Sequence, residues 1–202
     1  MAEVSAASRE MIERLIAFDT TSRNSNLELI EFIRSYLSEL GVESELVHDQ
    51  SGAKANLYAT LGPKDRGGIA LSGHTDVVPV DGQDWTRDPW KVVEQDGKLF
   101  GRGTCDMKGF IAVCLAWAPR FLEQARSMPV HFCFTYDEEV GCLGVRPLLA
   151  HLASKTVRPR MRRLRSRATA IAIGPCTRIE AITIVALLPI ALMKRGSEKA
   201  RT

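Results

Sequence analysis

The sequence predicts an α/β domain: a mostly parallel sheet covered by helices on both faces. Strand-like apolar runs alternate with longer stretches of helical spacing from residue 5 to residue 152, the order that builds such layers. Segment 69–72 and segment 130–136, the latter β-branched and aromatic, are apolar with little alternation, as strands buried on both faces are. Hydrophobic residues make up 45% of the 202, ample for one buried core.

The elements follow in order. Met11, Ile12, Leu15, Ile16 and Phe18 recur at helical spacing and predict a helix within 5–18. The polar run Thr20-Thr-Ser-Arg-Asn-Ser25 reads as a loop supplying capping residues. A second amphipathic helix carries Leu27, Leu29, Ile30, Ile33, Tyr36, Leu37 and Leu40, and Gly41 stops it. Segment 42–47 alternates apolar and polar residues as a strand does, and 56–61 is another. Segment 92–100 holds Asp96-Gly97 between apolar flanks, a hairpin signal. Segment 107–122 has helical composition, with Pro119 disturbing its later part. Segment 143–152 reads as a helix opening near Gly144, and no internal repeat is found.

The net charge of +3 hides a division. Residues 1–154 carry 15 Lys and Arg against 22 Asp and Glu, while residues 155–202 carry 12 against 2. All 13 aromatic residues precede Glu138. Such a shift marks a boundary, so 1–157 reads as the folded domain and 158–202 as a basic, aliphatic tail that is not a native domain. The arginine-rich segment 158–167 has the charge to neutralise phosphates. It has no aromatic residue for base stacking and no recognised motif, so no selected nucleic-acid partner is expected. The longest apolar run, 181–193, contains Pro189 and falls short of the roughly 20 residues that cross a bilayer, so no membrane insertion is expected. The five cysteines are odd in number without C-x-x-C spacing, and 1–14 lacks the apolar core of a secretory signal. A cytoplasmic protein with reduced thiols is the expectation.

Three short clusters carry the chemistry: His74-Thr-Asp76, Asp106 and Glu138-Glu139. Each is reached through a strand-like or glycine-rich stretch, which holds a side chain on a rigid element as a metal site requires. Zinc that keeps an open position for water takes imidazole and carboxylate donors. His74 is a natural ligand, and Asp76, two residues on, can orient it. Asp106 follows the loop Gly101-Arg-Gly-Thr-Cys105, and its two oxygens can bridge two metals. Glu138 and Glu139 are adjacent, so their side chains diverge; one can bind metal while the other faces water as a general base. Such a set suits metal-assisted hydrolysis. Alternation along an extended segment turns Cys105 away from Asp106, so it is not read as a ligand. Lys108 reads as a surface residue near a helix N-terminus or as an anion binder, and Trp85 and Trp90 as packing residues of a loop.

Leu71-Ser-Gly-His-Thr-Asp-Val-Val-Pro-Val-Asp-Gly82, Gly101-Arg-Gly-Thr-Cys-Asp-Met-Lys-Gly109 and Asp137-Glu-Glu-Val-Gly-Cys-Leu-Gly144 resemble the three signatures of the M20 zinc peptidase family. The resemblance covers roughly residues 8–161. Within the family, Phe18-Asp-Thr-Thr-Ser-Arg-Asn-Ser25 and Val80-Asp-Gly-Gln-Asp-Trp85 are most similar to the acetylornithine deacetylases. The resemblance implies His74 on one zinc, Asp106 bridging both, Glu139 on the second, Asp76 supporting His74 and Glu138 as catalytic base. It implies two Zn2+, with Co2+ as an alternative, and a small-molecule N-acyl amino acid as substrate. The reaction implied is hydrolysis of N2-acetyl-L-ornithine to L-ornithine and acetate, a step of arginine synthesis. A related desuccinylase, aminoacylase or carboxypeptidase of the family is the second reading. A non-catalytic remnant holding at most one metal is the third.

The resemblance ends near residue 161. There the family continues into a Gly-Glu-Pro-Thr motif whose Glu is a further ligand, where this chain reads Leu164-Arg-Ser-Arg167. Gly174-Pro-Cys-Thr177 is a weak echo with Pro175 at the ligand position. The family's lid and dimerisation domain and its late histidine ligand have no counterpart, and His48, His131 and His151 lie in unmatched contexts. A frame disruption near residue 162 and little or no deacetylase activity in this chain are therefore expected. An alternative reading frame encoding Gly-Glu-Pro-Thr in the coding DNA would support the disruption, and its absence would remove it.

Overall fold

A computed structural model describes residues 5–125 and 127–154. The expectations for the basic segment 158–167, the echo at 174–177 and the apolar run 181–193 lie outside the described residues.

Helix α1 (Ala6–Ile16) starts where Ser5 turns extended and its Oγ accepts the Ser8 amide at 3.2 Å, a side-chain cap for an otherwise orphaned N–H. Its buried stripe is Met11, Ile12, Leu15 and Ile16. Helix α2 (Leu27–Glu39) buries Leu29, Ile30, Ile33 and Leu37. Gly41, at φ 72°, ends it. The Gly41 amide bonds to Ser38 O at 2.9 Å and the Val42 amide to Leu37 O at 2.9 Å, the pair of bonds that a left-handed glycine makes possible at a helix end.

Strands β1 (Ser44–His48), β2 (Ala55–Leu61), β3 (Ile69–His74) and β6 (Val130–Thr135) form one sheet in the order β1-β2-β6-β3. The α/β class is as predicted, but the sheet is mixed. β1/β2 and β2/β6 are antiparallel, and β3/β6 is parallel with His74 opposite Thr135. Connection length explains this. The short turn between β1 and β2 can only return the chain antiparallel, whereas β3 reaches β6 by a long crossover through helices, as parallel neighbours require. Apolar runs report burial of both faces, not strand direction.

One face of the sheet presents Leu57, Ala59, Leu61, Phe132 and Phe134 to α1, α2, α3 (Lys108–Ala116) and α4 (Ala118–Gln124). The other presents Tyr58, Ala70 and Cys133 to Leu148 and Leu152 of α5 (Val145–Ser154). Pro119 sits in the first turn of α4, where its missing N–H costs nothing, so the predicted single helix divides at Trp117. Strands β4 (Val93–Gln95) and β5 (Lys98–Phe100) make the expected hairpin, with Asp96 at φ 52° and Gly97 at φ 68°, both left-handed as the two-residue turn demands. Among the described residues, no helix is long and apolar enough to cross a membrane.

Candidate metal centre

The parallel pair β3/β6 delivers the three clusters to one edge. His74 is the last residue of β3, and the turn after β6 carries Glu138 and Glu139. Asp106 comes from the loop between β5 and α3, through a cis Asp106–Met107 peptide. Sites at the carboxyl ends of adjacent parallel strands are the general pattern of such sheets.

Ligand atoms of His74, Asp106 and Glu139 lie within 4.8 Å of one another. His74 Nε2 is 3.0 Å from Asp106 Oδ1 and 3.7 Å from Glu138 Oε2. On the other side of the ring, Nδ1 donates to the main-chain oxygen of Asp76 at 2.9 Å, which leaves Nε2 to face the carboxylates. Support of a ligating imidazole through its other nitrogen is the usual arrangement around a metal. The Asp76 carboxylate is farther off, with Oδ1 3.5 Å from Nδ1. Its oxygens instead accept the Glu138 amide at 3.0 Å, the Glu139 amide at 3.2 Å and the Ser22 hydroxyl at 2.8 Å. Asp76 thus orients the histidine with its backbone and holds the acidic turn with its side chain.

Burial alone would lower the His74 pKa, but the Asp76 carboxylate and then Asp106 raise it to about 9. Burial pushes the Asp76 carboxyl upward, and the His74 ring, the Glu138 amide and Ser22 together bring it below the usual range. Glu139 is raised by burial and by Asp106, Glu138 and Asp76, with His74 opposing. Four carboxyl groups around one imidazole form a strongly electronegative pocket. Donor–donor distances across a zinc ion with bonds of about 2.0–2.2 Å reach at most roughly 4.4 Å. The three-residue group is close to that span, and the Asp106 side chain is 73% exposed, free to close the difference. Imidazole and carboxylate donors, excess negative charge and an exposed approach all fit a divalent cation.

The strand end is anchored by residues that sequence reasoning passed over. Thr75 bonds Thr135 O through both its amide (2.8 Å) and its hydroxyl (2.9 Å). Thr20 Oγ1 donates to Thr75 O at 2.6 Å, and Asn26 Nδ2 donates to Thr75 Oγ1 at 2.9 Å. Lys54 Nζ reaches Ser22 O and Asp137 Oδ1, each at 2.5 Å. The polar run 20–25 is a loop as predicted, but its hydroxyls brace the site. Short polar side chains in a loop beside an apolar helix are the one signal that marked it.

Lys108 corrects the surface expectation: it is fully buried. Its Nζ donates to Phe18 O at 2.7 Å and lies 5.4 Å from the Trp90 ring centre. A Cβ on Gly103, itself at φ 89°, would sit 2.9 Å from Lys108 Cε, so the glycine loop leaves room for the lysine stem and roofs it. Burial pulls the ammonium down to about 7, with Asp19 opposing. Trp90 is half-buried with its ring against the Lys108 ammonium. Trp85 is exposed beneath Arg102, whose guanidinium carbon is 5.1 Å from its ring.

The sequence pattern of peptidase family M20/M25/M40 matches residues 70–185. The chain belongs to peptidase family M20. Within that family, this M20 chain is 40% identical over 149 residues to an acetylornithine deacetylase of Pasteurella multocida (strain Pm70), a match covering 70% of this chain and 39% of the relative. It is 42% identical over 146 residues to an acetylornithine deacetylase of Photorhabdus laumondii, covering 71% and 36%. The M20 chain therefore spans well under half the length of these curated relatives. Among solved structures it resembles human carnosine dipeptidase 1 with a TM-score of 0.60 and 25% identity, covering 71% of this chain and 34% of that one. An M20 family metallo-carboxypeptidase from Sulfolobus solfataricus shares the fold, with a TM-score of 0.63, 19% identity, and 73% and 34% covered.

Proposed function

We propose that the protein is a metal-dependent amide hydrolase whose substrate is N2-acetyl-L-ornithine, cleaved to L-ornithine and acetate in arginine synthesis. The observation that carries the reading is the convergence of His74, Asp106 and Glu139 at one strand edge. Relatives at about 40% identity named for that reaction support the substrate. Zn2+ is the proposed metal, two ions per complete site, with Co2+ able to replace it. The thiols of Cys114 and Cys133 are buried and unpaired, which supports a reducing cytoplasm as the location.

In this reading His74, Asp106 and Glu139 would be the ligands that hold the metal. A divalent ion bound there would lower the pKa of water to about 7 and polarise the scissile carbonyl. Glu138, whose Oε2 lies 3.7 Å from His74 Nε2 and whose side chain is 46% exposed, would take a proton from attacking water and return it to the leaving amine. Asp76 keeps Nδ1 of His74 protonated and the Glu138-Glu139 backbone fixed, so base and ligand stay in register.

The site is open: Asp106 and Glu138 are both substantially exposed, and among the described residues no second layer encloses a substrate over them. Water exclusion, which strengthens every electrostatic contribution in a closed site, is weak here. Turnover by the 202-residue chain is accordingly proposed to be slow. Assay of N2-acetyl-L-ornithine with Zn2+ or Co2+ tests the reading. Slow ornithine release that needs the metal and disappears in Glu138→Gln supports it; release that persists with chelator or in Glu138→Gln contradicts it. N-succinyl amino acids and dipeptides in the same assay separate the related activities of the family.

A further inference from the structure

The side chain of Lys54 lies outside the metal centre, yet it joins the two segments that shape it. Its main chain is fixed first: the Lys54 amide donates to Asp49 Oδ1 at 3.0 Å, and its carbonyl accepts the Asp49 amide at 3.0 Å. From that fixed point the ammonium donates to Ser22 O and Asp137 Oδ1, with Lys54 16% and Asp137 12% exposed. Ser22 in turn holds Asp76, and Asp76 holds the amides of Glu138 and Glu139. Asp137 directly precedes that pair and stands at φ 52°, a left-handed conformation that Asp tolerates better than most residues but which still needs support. Lys54, Ser22, Asp76 and the turn from Asp137 to Glu139 therefore form a closed ring of polar contacts.

We propose that Lys54 is a positioning residue for the metal centre, clasping the Ser22 loop to the Asp137 turn so that Glu139 and Glu138 face His74. The inference rests on the proposed metal-binding role of His74, Asp106 and Glu139. A ring that supports ligands from outside commonly carries tenfold or more in metal affinity. Charge and geometry predict opposite signs here. Loss of the ammonium leaves extra negative charge near the ligands, which by itself would tighten cation binding. A weaker site therefore reports lost geometry.

The test is Co2+ titration of the full chain, read by visible absorption, alongside the thermal melting of the metal-free protein. Lys54→Met is expected to weaken Co2+ binding about tenfold or more and to alter the absorption bands. Lys54→Arg, which keeps the charge and reach, restores binding to within about threefold of the original, a rescue expected of a donor whose role is to clasp. Lys64→Met removes a comparable pair with Glu43, 64% and 85% exposed, and leaves Co2+ binding unchanged. Should Lys54→Met fail to fold because Asp137 is left buried and unpaired, Lys54→Met with Asp137→Asn removes both charges and should show the same loss. Original affinity and bands in either folded variant overturn the inference while leaving the metal centre standing. Absence of Co2+ binding by the unmodified chain overturns the metal centre, and the inference with it.

Discussion

Asp76 shows how one side chain serves two jobs at the residue scale. It is 2% exposed and accepts two amides and a hydroxyl. Asp76→Ala would leave those donors without an acceptor, at about 1–3 kcal/mol for a buried unsatisfied group. Partial access of water to the turn argues against a full sum. The expected loss is about 2–4 kcal/mol, measured by urea denaturation of the metal-free protein; a loss under about 0.5 kcal/mol, the size of an ordinary surface substitution, would contradict the role. His74, Asp106, Glu138 and Glu139 were legible as candidates in sequence because their flanks are local, and the fold brings them to one edge. Ser22 and Lys54 were not, because their contacts reach 54 and 83 residues along the chain to Asp76 and Asp137. A hydrogen bond of that span leaves no periodicity to read.

At the scale of elements, the loop that presents Asp106 depends on Gly109 at the start of α3. A Cβ there would lie 2.1 Å from Thr104 O. Gly→Ala inside a helix normally gains about 1 kcal/mol, but overpacking against backbone costs about 1–3 kcal/mol, and a carbonyl cannot rotate away as a side-chain tip can. Gly109→Ala is thus expected to destabilise by about 1–2 kcal/mol and to weaken metal binding through Asp106. Chemical denaturation and Co2+ titration check both; a stabilised variant would show that the loop yields freely. Helices α1 and α2, the β4/β5 hairpin and a disturbance at Pro119 were readable from spacing and from Gly41, Asp96-Gly97 and Pro119; the cap at Ser5 and the division into α3 and α4 were not. Nor was the direction of β2 against β6. Their apolar patterns are the same for parallel and antiparallel partners, and only the connections in space distinguish them. Lys108 was misread for a related reason: its burial depends on Gly103 and Trp90 closing over it.

For the molecule as a whole, two buried cations set opposing dependences on pH. His74 is raised from 6.5 to about 9, so its stabilisation is complete below about pH 6.5 and is lost as pH rises through 9. Lys108 is lowered from 10.5 to about 7, so the unfolded chain binds the extra proton between those values and stability grows with pH across them. Between about pH 7 and 8 the two slopes offset each other, and stability of the metal-free protein is predicted to change little; nearer pH 9 the buried thiols of Cys114 and Cys133, pushed up to about 12, make it fall. Lys108→Met removes the rising contribution. That variant is expected to lose stability from about pH 7 to 8 in urea denaturation, below the range of the buried thiols, whereas a flat profile there would mean that His74 is not held charged by Asp76 and Asp106. Metal should abolish the loss, because a ligating imidazole must give up its proton.

The most direct measurement is Zn2+ titration of the metal-free chain by calorimetry, compared with His74→Ala. Binding in the original chain, weakened at least about a hundredfold when the imidazole is removed, is the predicted result. Equal affinity in both proteins, or none in either, would contradict a cation held between the ends of β3 and β6.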